Sequence, residues 1–382
     1  MAVRPRSASV HRPPRAVLVS GAYPPDTGGP AYFVPALSAY LERCGWSVKV
    51  VALASDSSMA TSTVNVVERG ESRFHRRTRF IKALFQALRG ADVMFANGLH
   101  TEAALVAAWA RVPWVAKVVG EPIWERQRNQ GTTDVSLLEF HERASKRVIT
   151  LERLVWIRAL SRAHKVIVPG PELFELLTDL GLFHRLTLIP NGVPTIDAYS
   201  SRRAKTTDLI TVARLVPWKG VAGVISAAKR LGATLSIIGD GPERAFLQRQ
   251  ASRGLPAARV TFHGAIAEPA VDTFLHEARI FCLLSTYEGL SFALLRAKAA
   301  GLPVIASDIP GNRLVVRDGI DGFLVDPECP QAVDEAVKAL LEDPGLAERF
   351  GSSGRDDITE RFSLENTLKA TETELIAAMG AR

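Results

Sequence analysis

Short apolar runs alternate with helical patterns along the whole chain, and this alternation constrains the fold more than any other feature. In the first half, the runs that predict strands are residues 16–21, 48–53, 92–97, 114–120, 165–170 and 186–192. In the second half they are residues 208–214, 234–239, 259–264, 280–285, 303–307 and 322–325. Strands that alternate with helices form parallel sheets covered on both faces. The pattern therefore predicts an α/β protein with two Rossmann-like, doubly wound parallel sheets.

A polar stretch without apolar periodicity separates the two arrays and predicts a linker. The chain has 382 residues, of which 47% are hydrophobic, enough for two cores. We expect, in order, a disordered basic tail, a first domain, the linker, a second domain and a final helix. Their predicted bounds are residues 1–15, 16–197, 198–208, 209–362 and 363–382.

The formal net charge of +7 permits an acidic partner, but no nucleic-acid-binding motif accompanies it. No apolar run reaches the roughly 20 residues of a membrane span. The basic start lacks the apolar region of a signal peptide, so we expect a cytoplasmic protein. Three cysteines, Cys44, Cys282 and Cys329, have no metal-ligand spacing and are interpreted as core residues.

The densest basic run, residues 73–80, precedes a segment whose apolar residues fall on one helical face. One interpretation is a solvated loop before an ordinary core helix. The other is a basic amphipathic patch that contacts an anionic membrane, at the inner face, or receives a phosphorylated acceptor. The sequence leaves both open.

Residues 285–307, STYEGLSFALLRAKAAGLPVIAS, complete a strand, turn, helix and strand unit that begins at residue 280. In a parallel sheet, ligands bind where a strand ends and the next helix begins, because free backbone N–H groups there attract anions. Glu288, in the turn, is suited to accept hydrogen bonds from hydroxyls. A carboxylate for hydroxyls beside amides for phosphate suggests a nucleotide-sugar site.

This segment resembles the signature of retaining, GT-B-fold glycosyltransferases of family four (glycosyl transferases group 1), E-G-F-G-L-x-x-x-E-A-M-A-x-G-x-P-V-I-A-S. The matching residues are Glu288, Gly289, Ala297, Ala299, Gly301, Pro303, Val304, Ile305, Ala306 and Ser307. The chain departs from the signature at two positions. Arg296 replaces the second glutamate, and Lys298 replaces the usual methionine.

The resemblance assigns roles to the segment. It implies that Glu288 binds sugar hydroxyls and that the amides of Gly289, Leu290 and Ser291 hold the sugar and the β-phosphate. The family's second glutamate holds the donor ribose, a role that Arg296 cannot copy because a guanidinium only donates hydrogen bonds. We expect Arg296 to meet a phosphate or to pair with a neighbouring carboxylate.

Two further elements of the second domain resemble the family. The segment VARLVPWKG places Arg214 and Lys219 like the pair that holds the donor diphosphate. Two fixed cations would neutralise the charge on the departing group. The segment FHGAI resembles the element near the nucleobase, with backbone atoms around Ala265 and Ile266 as contacts.

The first domain carries three weaker candidates. Gly28 and Gly29 precede a predicted helix, where the family has a Gly-Gly loop beside the donor phosphates and the acceptor. Glu121 follows a strand in a G-E-x-x-W-E-R arrangement like that of some bacterial members. It would contact the sugar or orient the acceptor hydroxyl, or else only cap the next helix. His100 is a further candidate.

The resemblance implies transfer of a hexose from a nucleoside-diphosphate sugar to an acceptor hydroxyl with retention, in glycan, glycolipid or glycosylated-metabolite biosynthesis. It implies no metal and no cofactor beyond the donor substrate, and a final helix that returns to the acceptor-side first domain. Lipid-linked acceptors fall within the family's range. Sugar-nucleotide epimerases and phosphorylase-like enzymes share the fold but do not need the set of Arg214, Lys219 and Glu288. Arg296 keeps open a degenerate, non-catalytic partner subunit.

Overall fold

A computed structural model of the protein describes residues 12–26, 29–70, 72–133, 135–145, 151–194, 204–253, 259–266 and 268–381. Most of the predicted basic tail, Gly28 and residues 198–203 of the predicted linker lie outside these ranges. The chain divides into two compact units. The first comprises Met1–Lys117, Arg158–Lys165 and Glu372–Arg382, and the second comprises Val118–Ile157 and Val166–Thr371.

The first sheet has seven strands in the order β3-β2-β1-β4-β5-β6-β7. Its strands are β1 Arg15–Ser20, β2 Ser47–Ala54, β3 Val64–Glu68, β4 Val93–Asn97, β5 Trp114–Lys117, β6 Lys165–Val168 and β7 Leu186–Leu188. The pairs β2–β3, β1–β2, β1–β4, β4–β5 and β6–β7 are parallel. All five residues of β4 are buried, as expected of a strand covered on both faces.

The described residues of the same part of the chain form seven α-helices. They are α1 Gly29–Arg43, α2 Arg73–Ala87, α3 His100–Ala110, α4 Pro122–Asn129, α5 Leu137–Ser145, α6 Leu151–Leu160 and α7 Pro171–Leu177. Helix α4 has proline at its first position, where the missing N–H costs no helical hydrogen bond. Glu121 caps it.

The second sheet has six parallel strands in the order β10-β9-β8-β11-β12-β13. They are β8 Thr207–Val212, β9 Leu235–Ile238, β10 Val260–Gly264, β11 Ala278–Leu283, β12 Val304–Ser307 and β13 Gly322–Val325. Successive residues of β11 face two separate cores. Ile280 and Cys282 pack into one, and Phe281 and Leu283 into the other. The chain reverses its direction of progress across the sheet between the neighbours β8 and β11. Such a switch point, at the carboxyl ends of the strands, is where open α/β sheets bind ligands.

The helices of the second half are α8 Val221–Leu231, α9 Arg244–Ser252, α10 Glu268–Glu277, α11 Phe292–Ala299, α12 Pro310–Arg313, α13 Pro330–Glu342, α14 Pro344–Arg361 and α15 Leu364–Gly380. The end of α15 belongs to the first unit. There Glu372 accepts hydrogen bonds from Tyr40 Oη at 3.0 Å and from Trp46 Nε1 at 2.8 Å.

These sheets confirm the predicted fold class, with three local corrections. Strand β3 was not predicted. The basic run is not a loop, because α2 already begins at Arg73, with Ser72 as its cap. Cys44 is exposed and Cys329 half-buried, so of the three cysteines only Cys282 is a core residue. Among the described residues, no helix is both long and apolar enough to span a membrane.

Candidate active site

The loop after β11 places Glu288 at the switch point of the second sheet. The Glu288 side chain is 7% exposed. Its Oε1 accepts hydrogen bonds from Ser285 Oγ at 2.7 Å and from Lys219 Nζ at 2.6 Å. Ser285 is itself fully buried, and its carbonyl accepts a hydrogen bond from Ser307 Oγ. A buried polar chain therefore fixes the carboxylate through Oε1, and within the described residues its second oxygen is left for another donor.

Lys219 reaches Glu288 because the loop after β8 and the loop after β11 are in direct backbone contact. Lys219 ends a 3-10 turn, Pro217–Lys219, after β8, and Gly220 follows with φ +64°. A Cβ at Gly220 would lie 1.9 Å from the carbonyl oxygen of Leu284, so a side chain has no room there. The amide of Thr286 also donates to the carbonyl of Trp218 at 2.8 Å. The structure thus brings together two predicted site residues that are far apart in sequence.

The predicted anion contacts lie at the start of α11. Ser291 caps the helix and accepts a hydrogen bond from the amide of Leu294 at 3.4 Å. The first amides of a helix lack helical acceptors and favour an anion. Gly289 lies close to other backbone, since a Cβ on Gly170 would be 2.8 Å from its carbonyl oxygen. Leu290 is buried. Lys219 contacts Glu288 three residues before this cap, so a cation and helix amides are available to a phosphate along one loop.

Three other predicted donor contacts lie on loops of the second unit. Arg214 lies two residues beyond β8, and its side chain is exposed. Ala265, directly after β10, is exposed, and Ile266 is half-buried against one of the cores. The carbonyl of Gly264 accepts a hydrogen bond from the amide of Gly239 at 2.8 Å, which links the loops after β9 and β10. The roles of these residues remain predictions.

Arg296 pairs with a carboxylate, which is one of the two outcomes expected for it. Its Nη2 lies 2.7 Å and its Nε 3.2 Å from Asp272 Oδ1 on α10. The second departure, Lys298, is fully buried, and its amine lies 2.7 Å from Asp357 Oδ2 and 3.1 Å from Asp321 Oδ2. Both new cations on α11 therefore have acidic partners.

Glu121 is buried and caps α4. Its Oε2 accepts a hydrogen bond from the amide of Trp124 at 2.5 Å, whereas its Oε1 has no hydrogen-bond partner among the described residues. Burial raises the pKa of this carboxyl, although Trp124 and Arg153 oppose the shift. The capping role weighed from the sequence is thus observed, and a contact with substrate remains a prediction.

The described candidates of the first unit, Gly29 and His100, lie at the starts of helices. Gly29 begins α1. His100 begins α3, and its Nε2 lies 3.3 Å from the amide nitrogen of Gly98 and 3.0 Å from the carbonyl oxygen of Lys117. Burial lowers the pKa of His100 to about 4, so the ring is neutral at pH 7. Asn97 and Lys117 are register neighbours. Both are buried, and in the described part of the chain Asn97 Oδ1 and Lys117 Nζ have no hydrogen-bond partner.

An aromatic and arginine cluster around α4 was missed by the sequence analysis. Trp124 packs on Tyr287, with ring centroids 4.3 Å apart. The guanidinium of Arg128 lies over the rings of Trp124 and Trp218. The one available signal was that aromatic residues directly precede both Lys219 and Glu288. Within the described ranges, no group of three or more His, Cys, Asp or Glu residues is arranged to hold a metal.

Sequence models of two domain families together match most of the chain. Residues 28–192 match the sequence model of the glycosyl transferase 4-like domain, and residues 194–357 match that of the glycosyl transferases group 1. The chain belongs to the group 1 glycosyltransferases. Its two-sheet architecture is the GT-B fold of that family.

Two curated relatives are similar to parts of the chain. Glycogen synthase of Mycobacterium tuberculosis is 31% identical over 201 residues, which cover 50% of this chain and 49% of that protein. A GDP-mannose-dependent α-(1-6)-phosphatidylinositol monomannoside mannosyltransferase of Mycolicibacterium smegmatis is 35% identical over 163 residues, or 38% of this chain and 42% of that one. The chain thus matches about half the length, or less, of these relatives.

Solved structures match over nearly the whole chain. Sucrose-phosphate synthase of Thermosynechococcus elongatus has a TM-score of 0.75 at 19% identity, covering 97% of this chain and all of that one. HepE of Anabaena, in complex with UDP-glucose, has a TM-score of 0.74 at 17% identity, covering 95% of this chain and 99% of that one. At such identities the likeness establishes the fold alone.

Proposed function

We propose that the protein transfers a hexose from a nucleoside-diphosphate sugar to an acceptor hydroxyl, with retention and without a metal. The contact between Lys219 and Glu288, at the switch point and beside the first amides of α11, carries the proposal. A cation and helix amides next to a carboxylate match the two halves of the ligand, because the first bind phosphate and the second accepts sugar hydroxyls.

In this mechanism the donor diphosphate lies against the α11 amides and the Lys219 amine. As the bond to the sugar breaks, negative charge grows on the leaving diphosphate, and a fixed cation stabilises it. The free oxygen of Glu288 accepts a hydrogen bond from the sugar. The leaving phosphate then helps to deprotonate an acceptor hydroxyl on the same face, which gives retention.

The proposal also includes the donors to test first and the class of acceptor. The relatives and structural neighbours include proteins that act on or bind UDP-glucose and GDP-mannose, so these donors come first in an assay. The mannosyltransferase relative acts on a lipid, which favours a lipid-linked acceptor. Helix α2 supports a peripheral membrane contact, since Phe74, Arg77 and Arg79 are exposed on it. A non-catalytic partner subunit is the alternative, and it draws on Arg296 alone.

The test is release of nucleoside diphosphate from UDP-glucose and GDP-mannose, with and without acceptor extracts, by wild type, Lys219→Ala and Lys338→Ala. A charge-assisted hydrogen bond contributes roughly 1.5 to 3 kcal/mol, or about 10- to 100-fold in rate. We expect that loss for Lys219→Ala. Lys338, exposed on α13, is the matched control and should keep full turnover. Full turnover by a folded Lys219→Ala protein would refute the site. Binding without turnover by wild type would favour the partner subunit.

A further inference from the structure

Arg128 is a buried cation on the last turn of α4 that contacts both loops of the candidate site. It is 6% exposed. Its Nη2 donates a hydrogen bond to Thr286 Oγ1 at 2.6 Å, and its Nη1 donates to the carbonyl of Val135 at 3.0 Å. Its Cζ lies 5.1 Å from the ring centroid of Trp124 and 5.6 Å from that of Trp218. The guanidinium therefore combines two directional hydrogen bonds with a position over two aromatic rings.

The contacts of Arg128 meet at the junction of the two loops. Thr286 lies two residues before Glu288, and Trp218 lies next to Lys219. The amide of Thr286 donates to the carbonyl of Trp218, so the two loops are joined at this point. Arg128 adds a hydrogen bond to one loop and an aromatic contact to the other. Its position thus bears directly on the 2.6 Å contact of Lys219 with Glu288.

The chemistry of the cluster requires arginine. A planar guanidinium can donate in two directions within its plane while its faces rest on aromatic rings, whereas an ammonium group is compact and strongly hydrated. Trp124 is held by the same acceptor as Arg128, because its Nε1 also donates a hydrogen bond to the Val135 carbonyl, at 3.1 Å. Arg126, on the same helix, differs in that it is exposed and pairs with the exposed Glu152 at 2.6 Å.

We propose that Arg128 is a positioning residue that sets Lys219 against Glu288, and so places the lysine amine for the donor diphosphate. The proposal rests on the proposed function of that site. Arg128 itself need not touch the substrate. If it acts through Lys219, its removal should matter only while Lys219 is present.

A double-mutant cycle tests this dependence, because residues that act through each other have non-additive effects. The variants are Arg128→Ala, Lys219→Ala and the double variant, with Arg126→Ala as the matched control. The readouts are turnover of UDP-glucose and, by calorimetry, the affinity for UDP. We expect Arg128→Ala to lower both about tenfold in wild type and less than about threefold in the Lys219→Ala background. Arg128→Lys should not rescue, and Arg126→Ala should change neither readout.

A second variant keeps the test valid if Arg128→Ala does not fold. Thr286→Val removes the oxygen that Arg128 contacts with little change in shape. The loss of turnover and of UDP affinity that it causes should also disappear in the Lys219→Ala background. Equal losses in both backgrounds, as from general destabilisation, would overturn the positioning role and leave the proposed function standing. If the two substitutions are non-additive in UDP affinity but the wild type turns over no sugar, the positioning role of Arg128 is supported and the proposed function is refuted. Loss of neither turnover nor UDP affinity in Arg128→Ala would overturn the role outright, and absence of both in wild type would overturn both proposals.

Discussion

Replacing Lys117 by Met should stabilise the protein at pH 7 and flatten its response to pH. Lys117 is 1% exposed, and its amine has no hydrogen-bond partner in the described part of the structure. Burial lowers its pKa from 10.5 to about 7. Methionine has a similar length and no charge, so the substitution removes the buried amine without opening a large cavity.

The magnitude follows from proton linkage. Because the folded-state pKa is lowered, the unfolded chain binds more protons than the folded chain between pH 7 and 10.5. Stability must therefore rise with pH across that window, and the penalty is largest at and below pH 7. One proton per molecule corresponds to about 1.4 kcal/mol per pH unit. Phe33 opposes the shift, because its ring centroid lies 3.7 Å from the amine and attracts the charged form. We expect a net gain of about 1 to 2 kcal/mol in wild type between pH 7 and 9.

The assay is urea unfolding of wild type, Lys117→Met and Lys82→Met at pH 7 and pH 9. Lys82, exposed on α2 of the same unit, is the control for removing a surface lysine. From pH 7 to pH 9, the free energy of unfolding of wild type and of Lys82→Met should rise by the same amount. Lys117→Met should be more stable than wild type at pH 7, and its rise should be smaller by about 1 to 2 kcal/mol. Parallel behaviour of all three proteins would mean that the amine is solvated or paired, and would refute the reasoning.

Three further predictions concern the charged groups. Lys298→Met should destabilise the protein by about 3 kcal/mol in thermal or urea unfolding, because it leaves buried Asp321 and Asp357 without their shared cation. Each aspartate also pairs with an arginine at 2.6 Å, Arg317 and Arg361 respectively, and a loss under about 0.5 kcal/mol would show that these arginines suffice. Arg296→Glu should lower turnover, since it places a second carboxylate beside Asp272, whereas higher turnover or donor affinity would instead support a degenerate donor site. Sedimentation with anionic vesicles should fall with salt and with substitution of the α2 arginines by Gln, and equal recovery on neutral vesicles would exclude membrane docking. The arginines to replace are Arg73, Arg76, Arg77 and Arg79.

The sequence predicted the sheets because their strands are continuous apolar runs, which parallel sheets require on both faces. Strand β3, at the edge of its sheet, escaped because VNVVE is short and partly polar. The start of α2 escaped because an arginine-rich turn resembles a solvated loop until Ser72 is recognised as its cap.

The candidate site could be predicted only where position follows from topology. Glu288 and Lys219 both follow strands that are neighbours in the sheet, so parallel strand ends bring them together. Arg128 follows no such rule. It reaches the site from α4 by side-chain packing, and neither its hydrogen bond to Thr286 nor its contact with Trp218 leaves a period or a spacing in the sequence. The partner of Arg296 was equally hidden, since a guanidinium is satisfied by any nearby carboxylate.

The two departures on α11 bear on whether the site has decayed. In a site that has lost its function, substitutions accumulate without compensating changes in the residues around them. A buried charge left unpaired in this way costs several kcal/mol. Here Arg296 has Asp272 at 2.7 Å, and buried Lys298 has two aspartates within 3.1 Å. Those carboxylates come from α10, α14 and the loop before β13, so three separate elements are matched to the two cations. Such matching supports the proposal of a functional site with altered donor binding, which the Arg296→Glu variant tests.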